Sequence, residues 1–244
     1  MAVMLPMLFA VMTYNVNYGN PDPQLSIDAI AAADVDIVLL QEITDAWKTR
    51  LESRFAKSYP HRTFYPARAG GLAVLSKHPI RSSELYSPPS GGYFPAERLV
   101  VDSPLGDVQI LHVHLRPNID KGNWALGWQT TPPIRLREIQ TYWKKLARSL
   151  PTIVAGDFNE LPTGKAVEFL ADRGLARIET KGPTSWHHVI SVGGKKVSAL
   201  SMDIDHIVVD NAFTATSAHV LDAGASDHRP VVVTLGRTRA VPVR

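Results

Sequence analysis

Apolar residues along the chain come in short runs closed by polar clusters, and two periods alternate. Leu8–Val16, Ile37–Leu40, Thr152–Ala155 and Val231–Leu235 are too short for core helices and read as buried strands. Helical spacing appears near Leu25–Ala33. It recurs from Asp45 to about Phe55, where Ala46, Leu51 and Phe55 share a face and Thr44 or Asp45 supplies the cap. A longer helix is predicted from Ile134 to Leu150, with Leu136, Ile139, Trp143 and Leu146 at its spacing, and another at Lys165–Asp172, stopped by Gly174. His61–Tyr65, Gly71–Ser76, Ile80–Tyr86, Leu99–Asp102 and Val108–Leu115 are strands separated by Pro, Gly and Asp turns, and Ile204–Val209 and Thr214–Val220 follow late in the chain. Helices in both halves, between strands that are partly hairpin-connected, predict two packed sheets with helices outside, a four-layer α/β sandwich. A parallel barrel is excluded, because the stretch from His61 to Leu115 has no helix after each strand.

Several of these strands end in side chains that carry chemistry. Asn15 lies inside Leu8–Val16, Gln41 and Glu42 follow Ile37–Leu40, and His112 and His114 share one face of Val108–Leu115. Thr152–Ala155 runs into Gly156, Asp157, Phe158, Asn159 and Glu160. Asp205 and His206 sit in Ile204–Val209, and Ser226, Asp227, His228 and Arg229 precede the last strand. A buried polar group is costly unless paired or holding a metal. Many such ends, all supplying Asp, Glu, Asn or His, point to one shared polar centre. Hard cations take carboxylate and amide oxygens, and an imidazole beside a carboxylate is oriented and favoured in its protonated form. No Gly-x-Ser-x-Gly elbow is present to support acyl transfer.

Composition narrows the picture slightly. With 244 residues, 45% of them hydrophobic, the chain can bury a large core, and the expectation is one domain over 1–244 with its core at about 8–236 and a basic tail at 237–244. The formal net charge of +3 is compatible with a polyanionic substrate and equally with an ordinary basic surface. The absence of cysteine excludes disulfides and thiolate zinc sites and leaves the compartment open. Met1–Met12 is apolar but too short to span a bilayer and lacks the basic start of a signal peptide; Met1–Met7 as the remnant of a trimmed export signal stays an open reading.

The motifs Thr-Tyr-Asn15-Val, Leu-Gln-Glu42, His112-Val-His114-Leu, Gly-Asp157-Phe-Asn159, Ile-Asp205-His-Ile and Ser-Asp227-His228-Arg-Pro, in this order, resemble the endonuclease/exonuclease/phosphatase superfamily. The resemblance implies a deoxyribonuclease I-like four-layer sandwich and Mg²⁺-dependent phosphoester hydrolysis, with Mn²⁺ as the alternative ion. It implies Glu42 as the principal metal ligand with Asn15 beside it and Asp227 at the metal edge. Asp157 and Asn159 would orient the attacking water and hold the phosphate, and His228, paired with Asp205, would contact the scissile phosphate. His114 matches the deoxyribonuclease I and sphingomyelinase pattern, and Glu97 is its candidate carboxylate partner. His112 reads as a satisfied core histidine, His206 as facing away, and Asp203 as a possible support for Asp205.

The reading is a phosphodiesterase that cleaves nucleic acid by in-line attack of an activated water. The alternative is a phospholipid or sphingomyelin phosphodiesterase or a small-molecule phosphatase, with an inactive binding module on the same scaffold as a remote third. The expected partner is a phosphodiester substrate; a lipid interface is open, no obligate protein partner is evident, and a monomer is the default. The stretch Arg116–Pro133 reads as a long irregular loop. Its Trp124 and Trp128 leave three uses open: base stacking, a lipid interface, or packing on the body. Tyr93 and Phe94 form a possible opposite wall, Trp186, His187 and His188 a possible cleft lining, and Arg116 and Lys121 either phosphate contacts or a solvated face.

Overall fold

A computed structural model describes residues 7–192 and 195–238. One six-stranded sheet contains β1 (Leu8–Asn15), β2 (Ile37–Gln41), β3 (His61–Tyr65), β4 (Leu72–Ser76), β13 (Phe213–Val220) and β14 (Val231–Arg237), in the order β13-β14-β1-β2-β4-β3. The second contains β5 (Ile80–Tyr86), β6 (Ala96–Ser103), β7 (Gly106–His114), β8 (Thr152–Asp157), β9 (Ala176–Arg177) and β12 (Asp205–Val209), in the order β5-β6-β7-β8-β12-β9. Each sheet holds one parallel pair at its centre, β1 with β2 and β7 with β8; the other neighbours run antiparallel. Helix α1 (Pro23–Ala33) makes the crossover between β1 and β2, and α2 (Asp45–Phe55), capped by the Thr44 hydroxyl, follows β2. Helices α3 (Trp124–Thr130) and α4 (Pro132–Trp143) lie between β7 and β8, and α5 (Lys165–Ala171) follows β8.

Period two sorts the strand residues between the layers. Phe9 and Val11, Ile37 and Leu39, Val108 and Ile110, Ile153 and Ala155, and Ile207 and Val209 form the core between the sheets. The intervening residues face outward. Met12, Tyr14, Val38 and Leu40 pack with Ile27, Ile30, Trp47 and Leu51 of α1 and α2. Leu111, Val113 and Val154 pack with Ile139 and Tyr142 of α4 and Val167 and Leu170 of α5. The molecule is therefore a four-layer α/β sandwich, and no helix among the described residues is long and apolar enough to cross a membrane.

Three features differ from the sequence expectation. The helix predicted over Ile134–Leu150 ends at Trp143. Buried Gln109 captures the main chain beyond it: its Oε1 accepts from Ala147 N–H at 2.9 Å and its Nε2 donates to Ala147 O at 3.2 Å. The supposed irregular loop contains α3, capped by Asn123, whose side chain accepts from Leu126 N–H. A two-stranded hairpin of β10 (Trp186–Val192) and β11 (Lys195–Met202) was not foreseen; it pairs within itself, outside both sheets, and lacks a clean apolar alternation. Of the predicted tail, Arg237 belongs to β14, and residues 239–244, like the suggested leader residues 1–6, lie outside those described.

A buried ion pair ties the connection after β7 to the end of β8. Arg135 of α4 meets Glu160 at 3.0 Å and also donates to Arg116 O, Asn118 Oδ1 and Thr131 Oγ1. Asn118 in turn donates to Asn159 O at 2.8 Å. Removing one member of such a pair leaves an uncompensated buried charge, so the connection is held firmly.

Gly156 explains how β8 sits so close to β7. Its φ is 149°, and a Cβ there would lie 1.8 Å from Val113 O, which is main chain inside β7 and cannot step aside. Gly156→Ala is expected to lower unfolding stability by at least about 3 kcal/mol, measured by denaturant titration. A change below about 0.5 kcal/mol, the level of an ordinary surface substitution, would mean that the β7–β8 contact is looser than described.

Candidate active site

The inner rows of the central strands turn from apolar to polar at one end of the sandwich. On β1, Phe9 and Val11 give way to Thr13 and Asn15; on β2, Ile37 and Leu39 to Gln41; on β7, Val108 and Ile110 to His112 and His114; on β8, Ile153 and Ala155 to Asp157; on β12, read backward, Val209 and Ile207 to Asp205. Strand register sets these end residues side by side: Asn15 opposite Gln41 in one sheet, and His114, Asp157 and Asp205 in one row of the other.

Asn15 joins the two sheets. Its Nδ2 donates to Glu42 Oε1 and to Asp157 Oδ2, both at 3.1 Å, and its Oδ1 accepts from Asn17 N–H. Glu42 Oε2 accepts from Tyr18 N–H at 3.0 Å. Asp157 Oδ1 accepts from Asn159 N–H at 2.8 Å, while Oδ2 lies 3.4 Å from His114 Nε2 and 3.7 Å from His228 Nε2. His228 Nδ1 meets Asp205 Oδ2 at 2.9 Å. Asp227 accepts from Asn17 Nδ2 at 2.7 Å and from Trp186 Nε1 at 3.1 Å, and the Ser226 hydroxyl beside it donates to Asn15 O. Asn159 donates through Nδ2 to Leu115 O, and Phe158 between it and Asp157 is wholly buried under α4 and α5. Three of these residues, Asn17, Glu42 and Asn159, have φ between 50° and 66°. Asn adopts that backbone readily; Glu does so at some cost, and it turns Glu42 from the strand path toward Asn15.

Glu97 falls elsewhere than the resemblance implied. Antiparallel register sets it opposite His112, one inner row away from His114. It accepts from Ser83 Oγ at 2.7 Å and lies 3.8 Å from His112 Nδ1, so it is the partner of His112 and not of His114. His112 Nε2 is 2.7 Å from Gln41 Nε2, and Gln41 reaches Thr13 Oγ1. Thr13, Gln41, His112, Glu97 and Ser83 thus form a buried polar layer between the site and the apolar core. His114 instead packs on Phe94, with ring centroids 4.2 Å apart. His206 faces away, toward Glu160 O and Phe158, and Asp203 accepts from Ser185 N–H, whose hydroxyl in turn accepts from Asp205 N–H. Arg116 is buried, its guanidinium 3.2 Å from the Tyr93 ring centroid, whereas Lys121 is exposed. Asn17 was not foreseen in the sequence, Ser226 stood there only as part of the Ser-Asp227-His228 motif, and Trp186 only as a lining residue; the short-range polar cluster around Asn15 was the available signal for Asn17.

Burial dominates the electrostatics. It pushes the Glu42 carboxyl upward, against the hydrogen bonds from Tyr18 and Asn15, and drives Asp157 up as well, against the nearby His228. Burial and the charge of His228 hold the His114 pKa down at about 3, so that ring is neutral. Burial opposes protonation of His228 too, but Asp205 and Asp157 outweigh it and raise its pKa. At Asp227 burial is outweighed by His228, Asn17 and Trp186, and the carboxyl stays below its usual range. Four carboxylates therefore meet with one cationic imidazole, and among the described residues the ion pairs reaching them come from histidine alone. Hard oxygen donors with too little positive charge suit a divalent cation such as Mg²⁺ or Mn²⁺. The buried group Asp157, Asp205 and His228, whose ligand atoms lie within 4.8 Å of one another, could hold one. In this group His228 Nδ1 meets Asp205 at 2.9 Å, which leaves Nε2, 3.7 Å from Asp157, as the ring atom that can face a cation. Asp205→Asn removes the largest contribution raising the pKa of His228, so its titration midpoint should move to lower pH, as read from histidine ring NMR shifts; an unmoved midpoint would mean that Asp205 does not set the protonation of His228.

Comparison with known proteins agrees with this arrangement. The family model described as "Endonuclease/Exonuclease/phosphatase family" matches residues 12–228. No curated protein matches the sequence. Among solved structures, an endonuclease/exonuclease/phosphatase from Beutenbergia cavernae is 22% identical with a TM-score of 0.73, covering 97% of this chain and 73% of its own. Sphingomyelinase C from Streptomyces griseocarneus is 20% identical with a TM-score of 0.69, covering 95% and 99%. D. rerio TDP2 complexed with single-strand DNA product is 16% identical with a TM-score of 0.70, covering 94% and 99%. These likenesses establish the shared fold, and the family match, which spans the site from β1 to His228, establishes that this chain belongs to the endonuclease/exonuclease/phosphatase family, a group of metal-dependent phosphoesterases.

Proposed function

We propose that the protein is a divalent-metal-dependent phosphodiesterase that cleaves nucleic acid by in-line attack of water. The observation that carries this reading is the row His114–Asp157–Asp205 of one sheet, facing Asn15 and Glu42 of the other, with His228 reaching it from the segment before β14. Glu42, Asn15 and Asp227 are the residues assigned to hold Mg²⁺, with Mn²⁺ as the alternative. When bound, the cation neutralises charge on the phosphate and on the leaving oxygen.

The remaining work falls to side chains of the chain. Asp157 has one oxygen fixed by Asn159 N–H and the other by Asn15, and burial keeps its carboxyl raised. It is suited to take the proton from the attacking water, since a base works best when its pKa approaches the working pH. Asp205 fixes the His228 ring and keeps it protonated, so that Nε2–H can donate to a non-bridging phosphate oxygen as charge builds there. His114, neutral and packed on Phe94, holds its Nε2 3.4 Å from Asp157 Oδ2, on the same side as His228. Asn159 holds the turn, its N–H on Asp157 and one Nδ2 hydrogen on Leu115 O, and the second Nδ2 hydrogen is the one assigned to the phosphate.

The likeness to sphingomyelinase C over nearly the whole of both chains keeps a phospholipid substrate as the second reading. A panel of plasmid, oligonucleotide, sphingomyelin, inositol phosphate and bis-p-nitrophenyl phosphate separates the two. Nucleic acid is expected to be cleaved fastest with Mg²⁺ or Mn²⁺, with chelator abolishing turnover and rising salt weakening it. Asp157→Ala and His228→Ala should each lower kcat by about 10²–10⁴ with the circular dichroism spectrum retained. Faster turnover of sphingomyelin would select the second reading, and unchanged kcat in either variant would remove that residue from the mechanism.

A further inference from the structure

Aromatic rings stand on both flanks of the proposed phosphate site, and the assigned chemistry uses none of them directly. On one flank Trp124 of α3 lies against Trp186 of β10, with ring centroids 5.9 Å apart and planes 27° from parallel. Trp186 continues to His188, 6.2 Å away at 15°. The ladder is fastened to the site: Trp186 Nε1 donates to Asp227, the Trp186 main chain pairs with His228, and His187 N–H donates to Asp227 O. Trp186 is buried, but Trp124 is 47% exposed and His188 is exposed. On the other flank Phe94 packs on His114, Tyr93 meets Phe94 edge-on at 6.0 Å, and Tyr93 is 55% exposed with the Arg116 guanidinium against its ring.

An exposed large ring is unfavourable in water unless something covers it. Here the rings are supported from behind, by a second indole at Trp124 and by a guanidinium at Tyr93. Each therefore offers a flat face rather than a flexible tip. A lipid interface would be served by rings free to plunge into it, whereas a supported flat face suits another flat ring. The bases of a duplex already stack on one another and gain little from such a face; unpaired bases gain fully.

We infer that the protein acts on single-stranded nucleic acid, with unpaired bases on the two sides of the scissile phosphate stacking on Trp124 and on Tyr93. This rests on the phosphodiesterase reading above and names its substrate class.

The test uses four oligonucleotides of one length: single-stranded, duplex, and single strands with an abasic sugar on one or the other side of the cleaved bond. Wild-type protein should prefer the intact single strand to the duplex. Trp124→Ala should raise KM on the intact single strand by about 5- to 100-fold, with a clearly smaller rise on the strand lacking the base that Trp124 stacks; Tyr93→Ala should do the same with the other abasic strand. Trp124→Phe should recover most of the loss. Active wild-type protein that prefers duplex, or variants whose KM rises equally on intact and abasic strands, would overturn the stacking assignment while leaving phosphodiester hydrolysis standing. Wild-type protein inert on every oligonucleotide but active on sphingomyelin vesicles would overturn both.

Discussion

Successive residues of a strand point to opposite faces, and strands in a sheet hold fixed register; in this protein those two constraints decide where the chemistry sits. Five strands carry an inner row that begins apolar and ends polar, and the change occurs at the same end of the sandwich in each. The apolar portions form the core between the sheets, and the polar portions have no comparable option except to satisfy one another. A shift of one residue in β8 would turn Asp157 outward toward α4 and α5 and bring Gly156 into the row between His114 and Asp205. The close approach at Gly156 prevents that drift, and the Arg135–Glu160 pair fixes the chain on either side of it.

Because the polar end is enclosed, its carboxylates are poorly solvated, and burial raises Glu42 and Asp157. The protein compensates with amide donors, from Asn15, Asn17, Tyr18 and Asn159, and with a single cationic ring at His228. Amides orient a carboxylate without neutralising it. A site built this way keeps its negative potential available to a cation while holding each oxygen in place. The left-handed backbone at Glu42 belongs to the same design, since it turns the chain off the strand path where the carboxylate meets Asn15 and Tyr18 N–H.

Much of this was readable from residue order. Periodicity located the strands of both sheets apart from the two-residue β9, and the polar residues seen at strand ends are ones that register brings together. The errors have specific physical sources. Glu97 was assigned to His114 because strand register is invisible in one sequence, and the pairing with His112 decides it. The end of α4 was missed because a buried carboxamide from a distant strand, Gln109, competes for the main chain at Ala147. The β10–β11 hairpin escaped notice because its sequence lacks a clean apolar alternation, yet its first residues lie against Asp227 and His228. Tertiary partners, rather than local propensity, control each of these places.

In the proposed site the two sheets bring their polar ends together around a divalent ion on the Glu42 side, leaving the Asp157–Asp205–His228 group to handle protons. Crystals soaked with Mn²⁺ and measured for anomalous scattering test it most directly. A peak is expected beside Glu42, within reach of Asn15 and Asp227, with the His228–Asp205 contact intact. A peak bonded to His228 and Asp205, or none near Glu42 at saturating Mn²⁺, would contradict this placement.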